Sequence, residues 1–288
     1  MPVAELEARD SLVHHAPSNR SATFADLAPA AVRRGLPAKP VLKRSEQFRI
    51  MGTSVPRLDI PAKVDGTASF AIDVSLPGLK HATIKAAPVF GGNVVSYDAA
   101  SIDGMPGVQA VIDLGDAIAV VADGYWQAKQ ALDRLTVEFD DAGNSHWEQG
   151  DIFDRFTADL DRAAAAGDEE TDFEAGDAPA GLAAADTVIE AEYRVPFLAH
   201  ATMEPMNCTA WVHDGQCELW VGSQNPLEFA KSAGEAVGIE LENVRLHNQY
   251  LGGGFGRRAF SDVAVQAARI AAEVPYPVKL IWSREEDT

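Results

Sequence analysis

Leu251-Gly252-Gly253-Gly254-Phe255-Gly256-Arg257-Arg258 lies between an apolar strand pattern and a strong helix pattern. Four glycines in five residues leave few Cβ atoms along a turn, so a ligand can approach the backbone closely. Exposed N–H groups followed by two arginines suit a polyanion such as a phosphate or pyrophosphate. The aromatic ring between the glycines can wall one side of a pocket. The spacing is not that of a dinucleotide fingerprint. Read from Gly252, Arg257 stands at the third glycine; read from Gly254, the pattern survives only in its alanine-ending variant, at Ala259. Nor is it a phosphate loop ending in glycine-lysine-serine or threonine. Residue chemistry leaves two readings open: an anion-binding loop, or a tight corner where a helix packs on a strand and the arginines reach solvent.

Working outward, the chain of 288 residues is long enough for one large or two ordinary domains. Its apolar content of 47% is that of a globular protein, and no apolar run reaches the roughly 18 residues that span a bilayer. Met1-Pro2-Val3-Ala4-Glu5-Leu6 has neither the basic region nor the apolar core of a secretory signal. Cys208 and Cys217 are too few for a disulfide scaffold or a four-thiolate cluster, and they flank Asp214-Gly215, a hairpin signal, which puts free thiols on paired strands. The formal charge of −19 argues against nucleic acid or anionic lipid as a general partner. Within so acidic a chain, the arginine pair after the glycines stands out.

The pattern divides the chain into four stretches. Residues 1–54 read as an extended arm with one helix, which begins near Thr23-Phe24 and ends near Gly35 before Pro37 and Pro40. Residues 55–140 carry strand patterns at Ala68–Asp73, His81–Lys85, Val108–Ile112, Ala117–Val121 and Leu135–Phe139. They also carry a helix with Asp123 as its N-cap and Ala128, Ala131, Leu132 and Leu135 on its buried side. Residues 141–186 read as an acidic linker or insert containing one amphipathic helix over Ile152–Ala166 and the acidic run Asp168–Asp177. In 187–288 a strand is expected over Val188–Val195, and a hairpin pairs Thr209–His213 with Cys217–Val221. A helix follows over Pro226–Gly238, then a strand over Val244–Tyr250, a second helix over Ala259–Val274 and a strand over Val278–Trp282. Strands mixed with helices in this order make an α+β chain.

Three motifs, in this order, resemble the molybdenum-binding large subunits of the xanthine dehydrogenase and aldehyde oxidase family. They are His200-Ala201-Thr202-Met203-Glu204-Pro205, Gly222-Ser223-Gln224-Asn225-Pro226 and Gly252-Gly253-Gly254-Phe255-Gly256-Arg257-Arg258. The double arginine is similar to the isoquinoline 1-oxidoreductase beta-subunit type, as is the ending Pro277–Asp287. Arg57–Gly66 resembles the start of the family's α/β hammerhead domain. The resemblance implies a hammerhead-like domain over 55–140, followed by the first part of a molybdopterin-binding α+β domain over 187–288. It implies a molybdopterin cofactor carrying molybdenum, commonly the cytosine dinucleotide form, and oxidation of a C–H bond on an aldehyde or N-heterocycle with oxygen from water. Electrons would leave through the iron–sulfur clusters of a small partner subunit. Gln224 matches the glutamine that hydrogen-bonds an oxygen ligand of molybdenum. Gly252, Gly253, Gly254, Phe255, Gly256, Arg257 and Arg258 match the loop beside pterin and metal, with Phe255 next to the reacting centre. Met203 and Glu204 belong to a structural turn near the cofactor.

Two departures qualify that likeness. Ala259 stands where purine-oxidising relatives place an acidic residue, which speaks against purine oxidation. Nothing matches the family's general-base glutamate, which lies near the end of a far longer polypeptide. The expectation is a fragment that is inactive alone and needs the remaining part of the large subunit. A rival reading is a non-catalytic assembly module that binds partner subunits without cofactor; a third is a nucleotide-binding protein that uses the glycine loop for ATP. His200, Glu204 and Cys208 have the spacing of a metal stripe on a helix, but Pro196 and Pro205 argue for strand-and-loop packing, and no metal ligands are assigned. His14-His15 read as surface residues, and Trp126, Trp211, Trp220 and Trp282 as core or interface.

Overall fold

The computed structural model describes residues 2–35, 38–167 and 172–287, so Pro37 and the start of the acidic run, residues 168–171, lie outside the described residues. Contacts divide the chain into Met1–Ile60 and Pro61–Thr288.

In the first unit, strands β1 (Leu6–Arg9), β2 (Leu12–His15) and β3 (Arg20–Thr23) form an antiparallel meander, followed by helix α1 (Phe24–Val32). The expected helix is there, capped by Thr23, whose hydroxyl accepts from the Asp26 N–H while the Asp26 carboxylate accepts from the Thr23 N–H. The strands escape the sequence pattern because each has only four residues and little apolar alternation. His15 is not a surface residue. It is 8% exposed, with Nδ1 at 2.6 Å from Ser18 Oγ and Nε2 at 2.8 Å from the Glu5 carboxylate.

The second unit opens with α2 (Ile60–Asp65), β4 (Lys80–Ala86), β5 (Asn93–Tyr97), β6 (Val108–Asp113) and β7 (Ala117–Ala122). Next come α3 (Tyr125–Arg134), β8 (Val137–Asp140), α4 (Gln149–Ala166) and α5 (Ala178–Ala183). The hairpin β9 (Asn207–His213) and β10 (Gln216–Val221) precedes α6 (Pro226–Val237), β11 (Val244–Asn248), α7 (Asp262–Ala272), β12 (Val278–Ile281) and α8 (Arg284–Asp287). Among the described residues the main sheet has seven strands in the order β11-β10-β9-β12-β4-β7-β6, while β5 and β8 pair separately. Strand β12 runs parallel to β4 and antiparallel to β9, so one sheet passes through both the 55–140 and the 187–288 stretches.

The side-chain period of two sorts the core. Ala119 and Val121 of β7 join Cys208, Ala210, Leu219 and Leu280 beneath α6 and α7, which bring Phe229, Ala233, Val263, Ala267 and Ile270. Their neighbours Ile118, Val120 and Ala122 point the other way, against Ala128, Ala131 and Leu132 of α3. A strand covered on both faces reads as a continuous apolar run, which is why Ala117–Val121 was legible. Both cysteines are free and buried in this core, and burial raises both thiols above the usual range, Cys217 to about 11.

Three local expectations are corrected. Val188–Val195 forms no strand, for it has no ladder partner among the described residues, and Ile189, Tyr193 and Val195 stand exposed. Ala68–Asp73 is broken after an isolated bridge from Phe70 to Tyr250, where the Asp73 carboxylate accepts from the Phe70 N–H at 2.9 Å and closes a tight turn. Asp123 does not cap α3: its Oδ1 accepts instead from Lys80 Nζ at 2.5 Å and Gln109 Nε2 at 3.0 Å.

On the face of β9–β11 away from α6 and α7, Trp220 stacks on His247 and Trp211 on His213. Between the two imidazoles lies Glu218, accepting from His247 Nε2 at 3.0 Å. That hydrogen bond, chiefly, holds the Glu218 carboxyl below the usual range. A depressed carboxyl stabilises the fold above its unfolded value of about 4.3 and loses that contribution as pH falls through the folded value. Glu218→Gln is therefore expected to lower Tm near neutrality, with the gap from wild type closing below about pH 4 in thermal melts run across pH.

Candidate functional site

Strand β10, helix α6 and strand β11 form a βαβ unit in which the two strands run parallel, Val221 opposite Asn248. Parallel strands deliver their carboxyl ends to one edge, where ligands of α/β sheets commonly bind. Gly222–Pro226 leaves β10 at this edge, and the glycine loop leaves β11 beside it. The two are stitched together. Gln224 N–H donates to the Arg258 carbonyl at 2.9 Å, Ser223 N–H to Asn248 Oδ1 at 3.0 Å, and Gly256 N–H to Gln224 Oε1 at 3.1 Å. Because a backbone N–H can only donate, the side-chain atom facing it must be the amide oxygen. The Nε2 donors of exposed Gln224 therefore face away from that bond.

An added Cβ would collide at two of the loop's glycines. A Cβ on Gly252 would lie 2.5 Å from Glu204 Cβ, and one on Gly254 would lie 2.6 Å from Gln224 Oε1. Phe255 holds φ at +55°, a costly conformation for an aromatic residue, and it is 73% exposed. Gly252 N–H is claimed by Glu204 Oε2 at 2.8 Å and Arg257 N–H by the Gly254 carbonyl at 2.8 Å. Among the described residues, the N–H groups of Gly253, Gly254 and Phe255 donate to no protein acceptor. Three successive unclaimed donors, a side-chain amide donor beside them and an exposed ring fit a group bearing phosphate or metal-bound oxygens.

The two arginines are placed differently from the glycines. Arg257 makes a bidentate pair with Asp262 at 3.1 and 2.8 Å and lies over the Trp282 ring, 5.1 Å from its centroid. Arg258 is fully buried: Nε donates to the Gly253 carbonyl at 2.8 Å, and Nη2 to the Glu204 carbonyl at 2.8 Å and the Pro205 carbonyl at 3.3 Å. Desolvation lowers its pKa from the ordinary value, opposed by the Glu204 and Asp287 charges. Both guanidinium groups are thus held by protein partners, although Arg258 Nη1 is buried without an acceptor among the described residues.

Sequence reasoning placed Glu204 in a structural turn but missed how much converges on it. At 8% exposure, its Oε1 accepts from Ile72 N–H at 3.1 Å and Asn207 Nδ2 at 3.0 Å, and Oε2 lies 3.1 Å from Arg258 Nη2. The available signal was the run of polar residues Thr202, Glu204 and Asn207 leading into an apolar strand, all three of which are buried. The metal stripe does not assemble: among the described residues no group of three or more His, Cys, Asp and Glu side chains is arranged to hold a metal.

Residues 161–288 match the family model described as "Molybdopterin cofactor-binding domain". The chain is 29% identical to the beta subunit of isoquinoline 1-oxidoreductase from Brevundimonas diminuta, an alignment covering 100% of this chain and 42% of the relative. It is 28% identical to a nicotinate dehydrogenase subunit of Pseudomonas putida, over 85% of this chain and 21% of the relative. Among solved structures, quinoline 2-oxidoreductase of Pseudomonas putida superimposes with a TM-score of 0.62 at 19% identity, covering 84% of this chain and 36% of that one. Aldehyde oxidoreductase of Desulfovibrio gigas gives 0.59 at 22%, covering 85% and 32%. The structural likeness establishes the fold, and the chain spans less than half the length of each of these relatives.

The two steric requirements differ in kind. Gly252→Ala meets the backbone and Cβ of Glu204, which cannot yield, and is expected to cost about 1–3 kcal/mol. Gly254→Ala meets the far end of the flexible Gln224 side chain and is expected to leave the urea midpoint nearly unchanged while displacing that amide. Equilibrium urea unfolding of both variants checks the contrast.

Proposed function

We infer the function of this chain from its likeness to the molybdopterin-binding large subunits of the molybdenum hydroxylases: it supplies part of the cofactor pocket of an oxidoreductase. The observation that carries this reading is the Gln224 amide locked onto Gly256 beside the three unclaimed N–H groups of Gly253, Gly254 and Phe255. In it, those N–H groups donate to oxygens of the cofactor, and Phe255 walls the reacting side. Gln224 would help hold the group by donating from Nε2 to one of its oxygens, a role that does not compete for the metal itself. Arg257 and Arg258 act as supports of the loop, since their guanidinium groups are taken up by Asp262, Glu204 and backbone carbonyls. When bound, the molybdenum–pterin group supplies two-electron redox chemistry at a substrate carbon.

The substrate class we propose is an aldehyde or N-heterocycle, in line with the names of the relatives, and the cofactor form is the cytosine dinucleotide. The electron route runs to an iron–sulfur small subunit. A further polypeptide segment, equivalent to the rest of the relatives' length, completes the pocket. The domain reading is a hammerhead-like part over 55–140 and a partial cofactor domain over 187–288, joined by an acidic insert. Ile189, Tyr193, Val195 and Met203 are each more than 80% exposed, which is apolar surface for partner segments to cover. The same surface favours the alternative of an assembly module without cofactor.

Expression in a host that makes molybdopterin, followed by molybdenum and pterin analysis of the purified complex, separates the two. The expected result is about one pterin per chain in the wild type, with a severalfold loss in Gly254→Ala and Gln224→Ala despite unchanged unfolding midpoints. A soluble complex with partner subunits but no pterin would leave the assembly reading in its place.

A further inference from the structure

We propose that Glu204 is the positioning residue of the glycine loop: it sets the loop's shape, and through that shape the retention of the pterin group, without itself being a ligand. The proposal rests on the functional reading above.

Three N–H donors converge on this one carboxylate, the Ile72 N–H at 3.1 Å, Asn207 Nδ2 at 3.0 Å and the Gly252 N–H at 2.8 Å, and Arg258 Nη2 faces it as an ion-pair partner at 3.1 Å. Only a group with two accepting oxygens satisfies them all; a glutamine would turn its NH2 onto one pair of donors. The backbone of Glu204 is equally committed. Its N–H donates to the Gly252 carbonyl at 3.0 Å, and its carbonyl accepts from Thr202 Oγ1 and Arg258 Nη2, each at 2.8 Å. The first loop residue, Gly252, and the residue that closes the loop, Arg258, therefore hang on a single residue, through its side chain and its backbone together. Arg258 in turn grips the Gly253 carbonyl at 2.8 Å, at the point where φ reaches +106°. Clamping both ends, with Gly253 turned through that conformation, leaves the N–H groups of Gly253, Gly254 and Phe255 without protein acceptors. Met203, the neighbour of Glu204, is 89% exposed, so the burial of Glu204 at 8% is specific to the side chain that holds the loop.

The test uses the full chain, wild type and Glu204→Gln, produced with and without the host's pterin pathway. Hydrogen–deuterium exchange of the cofactor-free protein reads the latch alone. Exchange at Gly252, Gly256 and Arg257 is expected to speed up by about tenfold or more, while β7 and α7 keep wild-type protection. In protein from the competent host, pterin content, read by fluorescence after oxidation, is expected to fall by about fivefold or more. Arg258→Lys, which keeps the charge but gathers its donors on one nitrogen, should fall between the two. Unchanged loop exchange in a folded Glu204→Gln chain overturns the latch. Faster loop exchange with wild-type pterin content overturns its role in retention. A wild-type chain that carries no pterin sinks the functional reading and the retention half with it, whereas the exchange result still decides the latch. Should Glu204→Gln fail to fold, Asn207→Ser removes one hydrogen bond to Oε1 and serves with the same readouts. A rise in loop exchange of about threefold is then expected, and none overturns the proposal.

Discussion

The pairing of buried Arg258 with buried Glu204 is the constraint on which the site's geometry depends. A guanidinium at 0% exposure and a carboxylate at 8% are both stripped of water, so each depends on the other and on the hydrogen bonds around it, with Arg258 Nη1 alone of the guanidinium nitrogens lacking an acceptor among the described residues. Removing one partner of such a pair typically costs about 3–5 kcal/mol, because the remaining charge stays buried. Here the pair does more than neutralise itself. Arg258 binds three backbone carbonyls and Glu204 two backbone N–H groups, so the charges fix main chain from three separate segments. Those segments are the turn at Ile72, the stretch before β9 and the glycine loop.

Fixing main chain this way resolves a conflict built into a glycine-rich loop. Glycines permit close approach to the backbone, but they also raise the entropy lost on ordering. A loop left to its own propensities would have to be ordered by its ligand, at a cost in affinity. Holding both ends through Glu204 and Arg258 moves that ordering into the folding of the sheet and its helices. The Gly256–Gln224 bond then orients a side-chain amide on a backbone that is already fixed. Phe255, exposed and at positive φ, is tolerated only because the residues on either side are held.

The sheet supplies the platform. Because β10 and β11 are parallel, their exits coincide, and the Gln224 turn meets the glycine loop without any long connection. Because β12 inserts between β9 and β4, the stretches before and after the acidic segment share one ladder and the apolar layer beneath α6 and α7. The site is therefore not carried by a separable loop cluster. It sits on an edge of a sheet whose strands come from both ends of the second unit.

Much of this was legible in the sequence, and what was not has a common cause. Local pattern determined the helices α1, α3, α4, α6 and α7, the β9–β10 hairpin, the two-sided strand β7 and the three motifs that carry the family resemblance, because each depends on residues close together along the chain. The apolar period marked the inner face of α7, and glycine at Gly238 ended α6 in the left-handed conformation. The strand expected over Val188–Val195 failed because a strand exists only with a partner, and partners are not written in a local pattern. His15 and Asp123 were misjudged for a similar reason: the residues that claim them, Glu5 and Lys80 among others, lie far along the chain. Most of all, sequence proposed two arginines ready for an anion, and the tertiary structure pairs them with Asp262 and Glu204 while leaving Arg258 Nη1 and, among the described residues, the N–H groups of Gly253, Gly254 and Phe255 without acceptors. Which donors remain free is a matter of what every other group has already taken, and only the folded chain decides that.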